Sequence, residues 1–497
     1  VDPGDRTEPG RAVAAGDAAA GGDGMSAPVI WILVPIIAGL GLFFLRRWYR
    51  LTVSLGTGLS LLLALWAWQT PINEFISLGP WTLKIGDTFN ILGRQFYLAN
   101  PDRPLLAVIY ILASVWFAAA YASRSGMMFV PLGLVITGLL TAVTAVDPFL
   151  YAALLLEMAA LVSVVLFSRP GRPIQRGAIR FLIFQTLGMP FLLFTGYLLT
   201  GVEASPGELS LVSRAAILLA IGFILWLAVF PFHTWLPMVA EEAHPMSTGF
   251  VFLMLPFVVM LFGLGFLDRY IWLRDAPQLN SLLQLAGALM VLSGGIWAAF
   301  TRHLGRMIGF AVMFEIGKSI LSLSLPDGLP LFFTMLLPRA IGLAVWCLSL
   351  TILQNAPGMS NRRGLRYQDI NGLARKLPLA TAGLSMAHFS IAGLPLLAGF
   401  PVVFALIRML ADTSLPIAIL TLLGTAGLFA GGLRSLAAMV TGSDTGPQGW
   451  QIGERGAATF FLVAGLLALL LVGLFPQIFL PHMAALAQAF ERLLPTP

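Results

Sequence analysis

Hydrophobic positions in this chain of 497 residues fall into long unbroken runs, separated by short polar stretches, with neither strand-like alternation nor a single apolar helical stripe. A helix of about 20 apolar residues spans the hydrocarbon core of a bilayer. Fourteen runs approach that length: 28–45, 51–69, 103–121, 126–145, 148–168, 179–200, 210–230, 247–267, 281–300, 305–324, 329–354, 378–411, 415–440 and 457–480. The first is short. The twelfth is too long for one straight helix and contains AGLPLLAGFP, with Gly393, Pro395, Gly399 and Pro401 close together. Proline removes a backbone donor and clashes with the preceding turn, so a broken helix is expected there. Broken helices at membrane depth line cavities that satisfy the freed backbone groups; a simple kink fits the same residues.

Composition strengthens the membrane reading. Only 10% of residues are charged and 58% are hydrophobic, against about 25% charged in soluble domains. The chain is therefore expected to be an all-α integral membrane protein. The single cysteine, Cys347, excludes a disulfide framework and a cysteine metal cluster. Net charge is +6, but the basic residues sit in short loops, a topology signal rather than one for nucleic acid. Seventeen Lys/Arg lie in alternate loops (46–50, Arg124, 169–180, 302–306, 362–376 and 434–455), ten lie on the other side, and Lys318 and Arg339 fall inside spans. The rich side is expected to be cytoplasmic, with both termini outside, in a bacterial inner membrane. Residues 1–24 are small and polar, lack the apolar stretch of a signal peptide, and read as a leader or disordered tail.

A charge at mid-membrane costs roughly 2.5–3.5 kcal/mol on insertion scales, so five residues stand out. Glu157 lies about 13 Å into the fifth run. Glu315 and Lys318 are three residues apart in the tenth and share a helix face. Arg339 follows Pro338 in the eleventh, and His388 precedes the expected break in the twelfth. One reading is a polar file that passes protons through water. The other is a set of structural pairs, Glu315 with Lys318 and Glu157 with Arg339, with His388 a hydrogen-bonded packing residue. No P-loop, metal spacing, nucleophile elbow or dinucleotide fingerprint occurs. His233 and His244 are not spaced for zinc; they belong to the loop before the eighth run, where His233 would cap or anchor the chain.

The fourteen runs, FPFHTWLP at 230–237 and AEEAHP at 240–245 (carrying His233, Glu241, Glu242 and His244) resemble the antiporter-like membrane subunits of respiratory complex I, Mrp antiporters and energy-converting hydrogenases. LGRMIGFAVMFEIGK at 304–318 and AGLPLLAGFPVVF at 392–404 extend the resemblance. With no long lateral helix after the last run, the chain is most similar to the M-, N- or Mrp-D-type subunits. The resemblance implies two inverted five-helix repeats with broken helices, runs 4–8 within 126–267 and runs 9–13 within 281–440. Helices 1–3 (25–125) precede them, and a last helix with a short tail (457–497) follows. It also implies other membrane subunits and lipid as partners, and redox cofactors in those partners with none in this chain.

The chain departs from the pattern where the family's mechanism resides. Glu157 matches the family's glutamate, but the lysine before PFHTWLP falls at Trp226 and the neighbouring proline at Ala228. The lysine of the eighth run falls in LMLPFVVM, which has no ionisable residue, and the SHMG histidine falls at Glu315. The histidine and lysine of the eleventh run fall near Pro338 and Gly342, and the residue after the second break near Val403. A glutamate–lysine switch of proton affinity cannot operate through an indole. The first half-channel is therefore expected to be dry or blocked, with Glu157 neutral or paired elsewhere. Any proton route is expected to run through Glu315, Lys318 and His388. The resemblance implies a subunit of a redox-driven, proton-translocating complex with no redox site of its own. A structural membrane-arm subunit, and an Mrp-like or bicarbonate-uptake transporter subunit, are the alternatives.

Overall fold

A computed structural model of the protein describes residues 25–78, 81–91, 93–168, 171, 173–204, 209–356, 365–441, 453–454 and 456–493. The expected leader or tail, 1–24, lies outside the described residues. So do parts of the Lys/Arg-rich loops.

In chain order the helices are α1 (Val34–Phe44, after a π turn at Val29–Leu33), α2 (Tyr49–Gln69), α3 (Arg103–Ser123), α4 (Phe129–Ala145), α5 (Ala152–Phe167), α6 (Arg176–Ala204), α7 (Leu209–Trp226), α8 (Trp235–Glu242), α9 (Pro245–Arg269) and α10 (Ile271–Arg274). They continue as α11 (Leu279–Phe300), α12 (Leu304–Leu323), α13 (Gly328–Thr334), α14 (Leu336–Gln354), α15 (Leu373–Lys376), α16 (Pro378–Ile391), α17 (Phe400–Thr413), α18 (Leu415–Val440), α19 (Ala457–Leu474) and α20 (Pro476–Ala484). Among the described residues, nine helical segments are long and apolar enough to cross a membrane. Three shorter apolar helices, α12 with its charges and the pair α16–α17 fill the other expected runs. The helical membrane fold is thus as expected.

The loop between α2 and α3 holds an addition that the run pattern does not announce. Strands β1 (Phe75–Leu78) and β2 (Trp81–Lys84) form one antiparallel hairpin, and β3 (Thr88–Ile91) and β4 (Arg94–Tyr97) a second. β4 also pairs with β5 (Val146–Asp147), tying this loop to the α4–α5 junction.

Packing follows from which helices are apolar all round. α9 is buried almost throughout, as a helix with no polar stripe must be within a bundle. An aromatic cluster of Trp116, Phe117, Phe129 and Phe250 locks it to α3 and α4. Lipid tails are as apolar as leucine, so helices in a membrane gain most from close backbone approach. α11 and α18 use it: a Cβ on Gly295 would collide with the Gly424 carbonyl.

In each of the stretches expected to form the repeats, 126–267 and 281–440, the fourth span is interrupted. In the first, α7 stops at Trp226 and α8 starts at Trp235, with Ala228 left-handed at φ 55° and Pro231 following. In the second, α16 stops at Ile391 and α17 starts at Phe400. Gly393 (φ 76°) and Leu396 (φ 73°) turn the chain within the gap. Gly399 lies so close to the Ser390 carbonyl that no side chain fits, and its N–H donates to Ser390 Oγ (3.0 Å). The span-12 break is therefore a true interruption rather than a kink.

Candidate functional site

At the first interruption, Trp226 is hydrogen-bonded across to α6. The Trp226 indole N–H donates to the Gln185 carbonyl (2.9 Å), and the Gln185 side-chain amide donates to the Trp226 carbonyl (3.3 Å). That second bond satisfies one of the carbonyls left open where a helix ends. The ring lies on Gly188, where a Cβ would stand 2.5 Å from it, and against Phe223 and Phe262 (centroids 6.2 Å each). Trp226 is buried. An aromatic wall thus occupies the position where the resemblance places a lysine.

Glu157 is half-buried on α5. Its Oε1 accepts from the Thr186 hydroxyl (2.6 Å), and its Oε2 is buried with no hydrogen-bond partner. Among the described residues it forms no salt bridge. Pairing of Glu157 with Arg339 is therefore not found, because Arg339 is committed to the second repeat. Gln185 and Thr186, which hold Trp226 and Glu157 from adjacent positions, were not singled out in the sequence. Two polar residues in FLIFQTLGMP were the available signal.

The second interruption gathers charge. Lys318 Nζ lies 2.6 Å from Glu315 Oε1, and Arg339 Nε lies 3.0 Å from Glu315 Oε2. Arg339 also donates to the Glu315 carbonyl (2.8 Å) and to Ser319 Oγ. All three charged side chains are at most 4% exposed. The i,i+3 spacing expected to pair Glu315 with Lys318 does so. The second cation arrives from α14, one turn beyond its start. Lys318 Nζ also reaches the Ile391 carbonyl (3.5 Å), in the last turn of α16, where open carbonyls carry the negative end of the helix dipole. Lys318 therefore touches both the carboxylate and the broken helix. A narrow space of about 190 Å³ between the triad, Ser390 and Gly399 is too finely divided to seat a water.

His388 stands apart from this group. Its ring stacks on Trp346 (4.4 Å), its Nε2 donates to the Leu428 carbonyl (2.8 Å), and its Nδ1 is buried without a partner. No hydrogen bond joins it to Glu315 or Lys318 among the described residues.

The motif loop serves to fasten helices. Glu242 Oε2 accepts from the Gly177 N–H (2.6 Å) at the start of α6, where a carboxylate is favoured by the open N–H groups and the dipole. Glu241 forms an ion pair with Arg306 and lies 3.8 Å from His303. His244 caps α9 by accepting from the Met246 N–H (3.3 Å). His303, not singled out in the sequence, caps α12: its Nδ1 accepts from the N–H groups of Gly305 (3.1 Å) and Arg306 (3.4 Å). Its pKa is held below the ordinary value chiefly by burial, which outweighs the nearby Glu241 carboxylate. His233, rather than capping, stacks on Phe230 (5.5 Å). Among the described residues no group of three or more His, Cys, Asp and Glu is placed to hold a metal ion.

Known proteins are similar to this chain in sequence or in fold. NADH-quinone oxidoreductase subunit 13 of Thermus thermophilus is 28% identical over 94% of this chain and 99% of its own. The fold is similar to a chain of the membrane-bound sulfane sulfur reductase, an archaeal respiratory membrane complex (TM-score 0.78, 17% identity, 94% and 99% of the two chains). It is likewise similar to a chain of the Mrp complex from Dietzia sp. (TM-score 0.73, 18% identity, 94% and 99% covered). The family described as NADH:quinone oxidoreductase/Mrp antiporter, transmembrane, matches residues 149–429, the stretch that holds both interrupted spans and the charged triad. This chain is a member of that family of antiporter-like membrane subunits.

Proposed function

We propose that the chain is a membrane-arm subunit of a complex I-related, redox-driven complex, and that it handles protons only through its second repeat. The observation that carries this reading is the contrast between the two interruptions. Trp226, with no proton to exchange, fills the first, while Lys318 joins Glu315 to the broken helix at the second. Only two members of the triad can exchange protons, because a guanidinium does not deprotonate in proteins. Arg339 is the fixed cation of the group, its Nε bonded to Glu315 Oε2. Protonation of Glu315 would release Lys318 toward the Ile391 carbonyl, so that a proton arriving on α12 changes the grip on α16. His388 contributes packing rather than transfer. The redox cofactors belong to partner subunits, and other membrane subunits cover the exposed flanks of the helices. We place the Lys/Arg-rich loops on the cytoplasmic side of a bacterial inner membrane, with both termini outside.

The test measures protons moved per electron in proteoliposomes containing the whole assembly. Lys318→Met leaves the Glu315–Arg339 pair intact and should assemble, yet lower that ratio. Glu157→Gln should change it little. If Lys318→Met leaves the ratio unchanged while removal of the chain abolishes assembly, the subunit is structural. A large loss from Glu157→Gln with normal assembly would show that the first repeat conducts despite Trp226.

A further inference from the structure

On the side of the Lys/Arg-rich loops, a cavity of about 1050 Å³ opens between the ends of α6, α8, α11, α12 and α18 and the segment 366–368. Five arginines line it: Arg180, Arg302, Arg306, Arg366 and Arg434. Among the described lining residues the one carboxylate is Glu241, already committed to Arg306, with Asp369 close enough to act on His303 at the margin. Arg434 is held by the Ala299 carbonyl and lies over the Tyr367 ring (5.8 Å). Arg180, Arg302 and Arg366 are exposed and form no salt bridge among the described residues. Like charges gathered from separate elements repel, so five guanidiniums with far less negative charge among them favour an anion.

The cavity's apolar edge tells which anion. Trp297 is 49% and Phe300 73% exposed at the end of α11, where the helix meets the cavity. Behind them Ile296 and Leu289, about 6 and 16 Å along the axis from Phe300 and so within one leaflet, are exposed on one face of α11. A soluble phosphate has no use for such a face. A phospholipid does, with its phosphate among the arginines, its glycerol at the aromatic edge and its acyl chains along α11. Bidentate guanidinium–phosphate bonds suit arginine, and tryptophan at headgroup depth suits the interface.

We infer that this cavity is a specific site for the headgroup of an anionic phospholipid, beyond the bulk lipid that any membrane protein meets. The test uses the intact assembly in nanodiscs of mixed phosphatidylglycerol and phosphatidylcholine, with retained lipid counted by mass spectrometry after delipidating washes. Wild type should retain phosphatidylglycerol selectively. Arg302→Gln with Arg366→Gln, which breaks no ion pair, should weaken that retention about thirtyfold. Arg47→Gln with Lys376→Gln, on the same side but outside the cavity, should not. Trp297→Ala with Phe300→Ala should also weaken it, whereas inorganic phosphate should not displace the lipid. Equal loss from the control pair would reduce the effect to general surface charge and overturn the site. Displacement by millimolar phosphate would make it a plain anion site. Retention by the isolated chain but not by the assembly would mean that a partner subunit occupies the cavity; either result refutes the lipid assignment.

Discussion

Glu315 is the one anion between two buried cations, and that imbalance makes its removal far costlier than removal of either cation. In Glu315→Gln, Lys318 and Arg339, which both touch the same carboxylate at 2.6 and 3.0 Å, lose their common counter-charge. Two unit charges at a separation on the order of 5 Å repel by roughly 3 kcal/mol at an effective dielectric of ~20. Breaking a buried ion pair by removing one partner costs about 3–5 kcal/mol in general, which agrees. Lys318→Met leaves a neutral Glu315–Arg339 pair with its hydrogen bonds, at a cost typical of a volume-conserving change, below about 1.5 kcal/mol. The double variant Glu315→Gln with Lys318→Met removes the repulsion and should recover at least ~2 kcal/mol of the single loss, as coupled neighbours do. Cys347 provides the assay. It is the chain's only thiol and is fully buried on α14, the helix that carries Arg339. Its alkylation during a temperature ramp, read by peptide mass spectrometry, reports opening of this part of the bundle. Glu315→Gln should be labelled several degrees below wild type, Lys318→Met close to wild type, and the double variant between them. Equal labelling temperatures for the two single variants would refute the charge-balance argument.

Three further outcomes test the surrounding structure. Gly188→Ala would put a methyl 2.5 Å from the Trp226 ring and should cost about 1–3 kcal/mol by overpacking; adding Trp226→Phe should return part of it in the same labelling assay. Glu242→Ala removes the acceptor for the Gly177 N–H and should cost about 0.5–2 kcal/mol, with faster hydrogen exchange confined to the first turn of α6. Because burial holds the folded-state pKa of His303 below the ordinary 6.5, the unfolded chain takes up a proton there first. Its stabilising contribution is present above that pH and is lost as pH falls through it. His303→Asn, which keeps a capping acceptor but does not titrate, should flatten stability between pH 7 and 5; an unchanged profile would remove His303 as the cause.

The membrane class, the fourteen apolar runs and the interruption at 393–401 are legible in the chain alone. Each follows from local chemistry: apolar length against bilayer thickness, and proline and glycine against helix continuity. The Glu315–Lys318 pair is legible there too, because residues three apart on a helix are neighbours wherever that helix lies. Where Arg339 goes depends on packing. Its partner lies 24 residues away on another helix, and nothing in either helix selects Glu315 over Glu157. The same holds for Trp226, whose indole is pinned by Gln185 across 41 residues, and for His303 and Glu241, which meet only because α8 folds against the start of α12. The hairpins between α2 and α3 were missed for a different reason. Four-residue strands leave too short an alternation to register beside twenty-residue runs, and their pairing, with β4 reaching β5 some fifty residues on, is made by the fold. Apolar span length is written in each segment alone; the cost of a buried charge is settled by whichever neighbour packing brings to it.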